Sequence, residues 1–103
     1  AGGVFPSLLG RMTHGQTVRQ EVKDLPRAPM EYRRRFHYDT ITYYPETLRF
    51  LIDLVGTDRV VIGSDGYAPM DVAEPNGLVE QLRLPAQDRD RILWGNASRL
   101  FRL

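Results

Sequence analysis

Arg59-Val60-Val61-Ile62-Gly63-Ser64-Asp65 is the stretch whose reading decides the fold. Val60-Val61-Ile62 has no alternation of apolar and polar residues, which predicts a strand on this run buried on both faces, as in a parallel sheet. Before it, Leu48, Leu51, Ile52 and Val55 fall on one stripe of an amphipathic helix. Pro45 opens that helix at its first position, where a missing N–H costs nothing, and Gly56 closes it. Earlier still, Phe36–Ile41 is rich in aromatic and β-branched residues and predicts another strand. Strand, helix and buried strand make a βαβ crossover, which demands a parallel pair. The fold class is α/β.

Outward from this unit the chain reads as helical. Helices are predicted over Pro6–Met12, Pro29–Arg35, Pro75–Leu84 and Pro85–Trp94, the last with Pro85 at its first position. Thr13–Pro29 reads as loop. Gly95 is expected to break the chain, and Asn96 to cap a final turn through Leu103 that carries Leu100 and Phe101 inward. Two parallel strands leave edges bare, and such edges aggregate unless covered. The sheet therefore calls for strands from other sequence or from another subunit.

The 103 residues suffice for one domain or less, with a small core. A formal charge of +1 excludes a strong net field towards nucleic acid or an anionic membrane. Thirteen of the fourteen basic residues are Arg, scattered through helical patterns. With no cysteine, disulfides and thiolate metal sites are excluded, so any metal must sit on nitrogen and oxygen. No apolar run is long enough to span a bilayer and no signal peptide opens the chain, so a cytoplasmic protein is expected.

Several residues are candidates for chemistry. Asp65 follows the buried strand, where catalytic groups of parallel α/β enzymes lie; the residues alone leave open a metal-ligating carboxylate or a turn-capping Asp. His37 and Asp39 share a strand face, compatible with two ligands or with hydrogen-bonded structural residues, the commoner outcome. His14, beside Gly15, reads as a surface residue. Arg11 could clamp a carboxylate through two donors or simply be solvated. Arg33-Arg34-Arg35 reads as a solvated helix end rather than a phosphate patch, because stacking aromatics are not interleaved with it. Gly2-Gly3 suits either close backbone approach to a ligand or a flexible end.

An ordered series of short motifs spans nearly the whole chain: Ala1-Gly2-Gly3-Val4-Phe5-Pro6 with Leu8-Leu9-Gly10-Arg11, then Tyr38-Asp39-Thr40, Leu54-Val55-Gly56, Asp58-Arg59-Val60, Gly63-Ser64-Asp65 and Gly95-Asn96-Ala97. The series resembles the aminocarboxymuconate-semialdehyde decarboxylase family of amidohydrolase-related, metal-dependent (β/α)8 barrels. The resemblance implies that residues 1–103 form the C-terminal part of one barrel domain, with Phe36–Ile41 as strand 7 and Arg59–Ser64 as strand 8. Asp65 is then the carboxylate ligand of a divalent metal, typically zinc, and acts on metal-bound water. Arg11 falls where the family places an arginine that reaches a neighbouring subunit to hold a substrate carboxylate, which implies a homodimer.

Two departures qualify what the likeness implies. The histidines of the family's metal site and its acid–base histidine have no counterparts here, so the chain alone is expected to be catalytically incomplete. Where the decarboxylases typically read Tyr-Pro-Phe-Pro after the strand 8 aspartate, this chain has Gly66-Tyr67-Ala68-Pro69. Tyr67 remains a candidate for substrate binding, displaced by one position. The implied substrate is a small carboxylate, and the reaction decarboxylation or metal-assisted hydrolysis. A contrasting expectation is a non-enzymatic module that binds or assembles through the surface around Asp65, Tyr67 and Arg11.

Overall fold

The computed structural model describes residues 1–103. Its elements are α1 (Phe5–Val18), α2 (Pro29–Tyr32), β1 (Tyr38–Asp39), α3 (Pro45–Val55), β2 (Val60–Val61), α4 (Pro75–Gln81), α5 (Ala86–Asp90) and α6 (Asn96–Phe101). A π-helical turn over Arg91–Gly95 joins α5 to α6. β1 and β2 pair in parallel, Tyr38 with Val60 and Asp39 with Val61, across the α3 crossover. The expected βαβ unit is therefore present.

The predicted α3 stripe lies in its core. Leu48, Leu51, Ile52 and Val55 of α3 are all buried, against Tyr38, Val60, Val79, Leu82 and Ile92. Each such side chain stabilises the fold by roughly 1.5–3 kcal/mol relative to exposure. Pro45 opens α3 and Gly56 closes it at φ 91°, a left-handed value that disfavours any residue with a Cβ. The last carbonyls of α3, which lack partners within the helix, are satisfied from the arginine run. Arg33 Nε donates to Leu54 O at 2.9 Å and Arg34 Nη1 to Val55 O at 2.6 Å. Arg33-Arg34-Arg35 is therefore not simply a solvated helix end. Two of its members cap another helix, where their charge also suits the helix dipole.

Both strands are shorter than predicted. β1 stops at Asp39 because its carboxylate turns back to accept from the Ile41 N–H at 2.9 Å, and Phe36 stands edge-on against Phe5 instead of pairing. At β2, Arg59 belongs to a 3₁₀ turn, and Ile62 N–H donates to Ile92 O rather than to a strand. Val60 is buried, but Val61 and Ile62 are only partly so. Burial on both faces is not reached within this chain.

The helices differ in detail as well. α1 continues through Thr13–Val18, where the sequence predicts loop; the only break signal there, Gly15, costs just ~1 kcal/mol in a helix. Pro85 is the residue before α5 rather than its first. Gly95 does not break the chain, since the π turn carries the backbone through it. Leu100 and Phe101 are exposed rather than inward. Asn96 caps nothing: it is fully buried, and its Nδ2 donates to Thr57 O and Val60 O, each at 2.7 Å. The π turn absorbs one extra residue and so keeps that amide aimed at the approach to β2.

The molecule measures 46 × 29 × 25 Å, with a radius of gyration of 15.4 Å, where a compact domain of this size has about 13 Å. Its accessible surface is 7170 Å², against about 5,900 Å² expected for a folded monomer of this mass.

Replacing Asn96 by Ala removes a side-chain donor from two carbonyls, one buried and one partly buried. Loss of roughly 2–4 kcal/mol is expected, read as a lowered urea midpoint. A midpoint within error of the parent's would refute the bridging role.

Candidate active-site end of the sheet

The C-terminal ends of β1 and β2 bring three segments together. Thr40, 2% exposed, follows β1, and its hydroxyl oxygen accepts from Gly63 N–H at 3.2 Å. This side-chain bond extends the pairing beyond the two-residue ladder and fixes the start of the loop that carries Asp65. Asp39 Oδ2 lies 2.5 Å from the Ala1 nitrogen, so the first residues reach the same end. Gly2 crosses Tyr38 so closely, at φ 78°, that a Cβ would stand 2.8 Å from the ring. The glycine pair thus meets a core tyrosine rather than an open surface.

The loop after β2 is built from short-range bonds. Val72 N–H donates to Ser64 O at 2.7 Å, Ala68 N–H to Asp65 O at 2.9 Å, and Gly66 N–H to Ser64 Oγ at 3.2 Å. Tyr43, from the loop after β1, donates its phenol to Met70 O at 2.9 Å and ties the two loops together. Tyr43, Asp65 and Tyr67 all have positive φ, at 63°, 54° and 73°. For Tyr43 and Tyr67 this conformation costs on the order of 1–2 kcal/mol each and for an aspartate less; Arg83 and Arg102 adopt it elsewhere in the chain. Asp65 is exposed, and no side chain of the chain forms an ion pair or hydrogen bond with its carboxylate.

The other candidates lie elsewhere. Tyr67 is fully exposed and lines a shallow cleft with Ser64, Gly66, Asp71, Val72 and Pro75. Arg11, also exposed, lines a separate and more apolar cleft of about 380 Å³ beside Leu8, Met12, Val22 and Leu25. The chain does not bring Arg11 and Tyr67 into one pocket. His14 is on the surface. His37 and Asp39 do not act together: Asp39 meets Ala1 and Ile41, whereas His37 faces Arg59 and Arg99 at the other ends of the strands. Thr40 was passed over in the sequence, although it stands in the Tyr38-Asp39-Thr40 motif.

No three His, Asp or Glu side chains converge anywhere in the chain. A tetrahedral metal site needs four donors, and Asp65 offers one carboxylate. By themselves the chain's residues do not fit a metal centre.

The family model described as "Amidohydrolase" matches residues 2–103. The chain belongs to the amidohydrolase family. It is 32% identical over 99 residues to the 2-amino-3-carboxymuconate-6-semialdehyde decarboxylase of Dictyostelium discoideum, covering 93% of this chain and 28% of the relative. To the decarboxylase of the same name in Caenorhabditis elegans it is 31% identical over 103 residues, 97% of this chain and 26% of the relative. The chain thus spans about a quarter of the length of these relatives. The crystal structure of 5-carboxyvanillate decarboxylase from Sphingomonas paucimobilis superposes with a TM-score of 0.81 over 97% of this chain and 31% of that one; at 24% identity this supports the fold. The family likeness read from the motifs therefore holds. Members of this family typically use a divalent metal. The named relatives are decarboxylases and lend no support to a stand-alone binding module.

If the left-handed backbone at position 65 is a cost borne for presentation of the carboxylate, Asp65→Gly should stabilise the chain by up to about 1 kcal/mol, while Asp65→Val should destabilise it by more than 1 kcal/mol. Paired urea titrations check this. A less stable glycine variant would show that the aspartate is there for local structure.

Proposed function

We propose that residues 1–103 form the C-terminal part of a single metal-dependent barrel domain, with β1 and β2 as its seventh and eighth strands, and that the domain decarboxylates a small carboxylate substrate. Asp65 is the one ligand this segment contributes to a divalent metal, zinc in this reading. The remaining ligands come from other sequence, so the 103 residues alone are catalytically incomplete. Arg11 and Tyr67 are assigned to substrate binding. Arg11 serves a neighbouring subunit of a homodimer, which accords with its position in a cleft apart from Asp65.

The observation that carries this reading is the exposed, unpartnered and strained carboxylate at the C-terminal end of a parallel strand. A turn-capping aspartate would use its side-chain oxygens on nearby N–H groups; here the Ala68 N–H is taken by the Asp65 carbonyl instead. The surface excess and the partly bare Val61 and Ile62 support further strands packing on this sheet. Decarboxylation is preferred over hydrolysis because the named relatives are decarboxylases. Gly66-Tyr67-Ala68-Pro69 differs from the family's usual sequence at this loop, so the substrate is assigned as a class.

The test is a chimera that joins this segment to the preceding part of the Dictyostelium decarboxylase. It is expected to bind a divalent metal and release carbon dioxide from aminocarboxymuconate semialdehyde or an aromatic carboxylate. Asp65→Ala should lower kcat/KM by roughly 10²–10³-fold or more, with a matching fall in metal content. The 103-residue chain should give no turnover. Unchanged metal content and activity in the Asp65 variant would sink the assignment.

A further inference from the structure

At the ends of the strands opposite Asp65 there is a cleft of about 640 Å³ with a heavily cationic wall. His37 precedes β1, Arg59 precedes β2, and Arg91, Arg99 and Arg102 come from the helical run that ends the chain. One carboxylate, Asp58, shares the lining. We propose that this cleft is a binding site for a phosphate-type oxyanion, held by the guanidinium groups of Arg59, Arg99 and Arg102. The inference does not depend on the role given to Asp65.

The charge balance makes the case. Asp58 is already engaged from outside the cleft: Arg34 Nη2 donates to both of its oxygens, at 3.1 and 2.9 Å. Arg91 has its own carboxylate, Asp88, at 3.1 Å. Arg99 and Arg102 have none, and Arg59 shares Asp58 with Arg34. Arg99 donates to neutral acceptors, Asn96 Oδ1 at 3.0 Å and Asp58 O at 3.3 Å. Arg102 forms no ion pair. Arg59 Nε lies 3.4 Å from Asp58 Oδ2 without hydrogen-bond geometry and is a buried N–H with no acceptor. Buried donors are normally satisfied, and such an orphan points to a missing acceptor.

Like charges around one concavity repel, and the imidazole registers this. Burial first, and then the charges of Arg59 and Arg99, hold the His37 pKa below its ordinary value, against a smaller opposing effect of Asp58. A tetrahedral dianion would relieve the repulsion. Guanidinium forks match phosphate oxygens through paired donors. The volume lies within the range of small-molecule sites, so there is room for an oxyanion carried on a larger molecule as well as for the free ion.

Inorganic phosphate titrated into the 103-residue chain at low ionic strength, against chloride at matched ionic strength, tests the site. The expected result is saturable binding by calorimetry, with amide shifts centred on His37, Arg59 and Arg99 and an upward move of the His37 titration midpoint. Arg102→Gln, at an exposed position, should weaken binding roughly tenfold without changing the urea midpoint in chloride. Arg59→Gln should do the same, and the Arg102 variant decides if that one fails to fold. Equal effects of phosphate and chloride would overturn the proposal. So would saturable binding of a hexaglutamate peptide with none of phosphate, since the cleft would then be a docking face for an acidic protein segment.

Discussion

A parallel ladder of only two residue pairs, Tyr38 with Val60 and Asp39 with Val61, fixes the position of everything else in this chain. So short a ladder contributes few backbone hydrogen bonds, and each is worth only about 1 kcal/mol net. Polar clasps at its two ends compensate. The Thr40 hydroxyl grips Gly63 beyond the C-terminal end, and the Asn96 amide grips Thr57 and Val60 at the other. Thr40 and Asn96 are also the two buried polar side chains of the chain. The α3 stripe closes over one face, and the arginines after α2 hold its last carbonyls in place.

The same geometry separates two chemistries. Beyond the C-terminal ends of the strands, strained loops expose a carboxylate; before the N-terminal ends, four guanidinium groups, those of Arg99 and Arg102 without a carboxylate, and an imidazole surround a cleft. In parallel α/β folds the first location is where reacting groups are collected. Here a side chain follows each strand end: Thr40 positions the loop and Asp65 stands in it. Membership of the amidohydrolase family accords with that placement.

Much of the fold was legible because it is local. The α3 stripe, Pro45, Gly56 and the unbroken Val60-Val61-Ile62 run carry periodicity and end signals within a few residues, and together they specify the βαβ unit. Asp65 was legible as a strand-end acid, and Asp65-Gly66 is the kind of pair that accepts a left-handed turn. What the sequence concealed is nonlocal. Asn96 looked like a cap because its partners, Thr57 and Val60, lie 39 and 36 positions away. Arg33 and Arg34 looked solvated because the carbonyls they serve are 21 positions further on. Leu100 and Phe101 were placed inward by pattern, but the π turn shifts the helical phase that such patterns assume.

That phase shift bears on how the chain tolerates changes in length. An α-helix turns its side chains by about 100° per residue. Losing one residue from Arg91–Gly95 would remove the extra residue that the π turn absorbs and restore ordinary α spacing, with α6 keeping nearly the same face towards β2. A further residue inserted there without a second bulge would instead swing α6 by that angle and point the amide of Asn96 away from β2. An insertion in this short turn is therefore more damaging than one in the loop between Lys23 and Arg27, which anchors no strand and has room to vary.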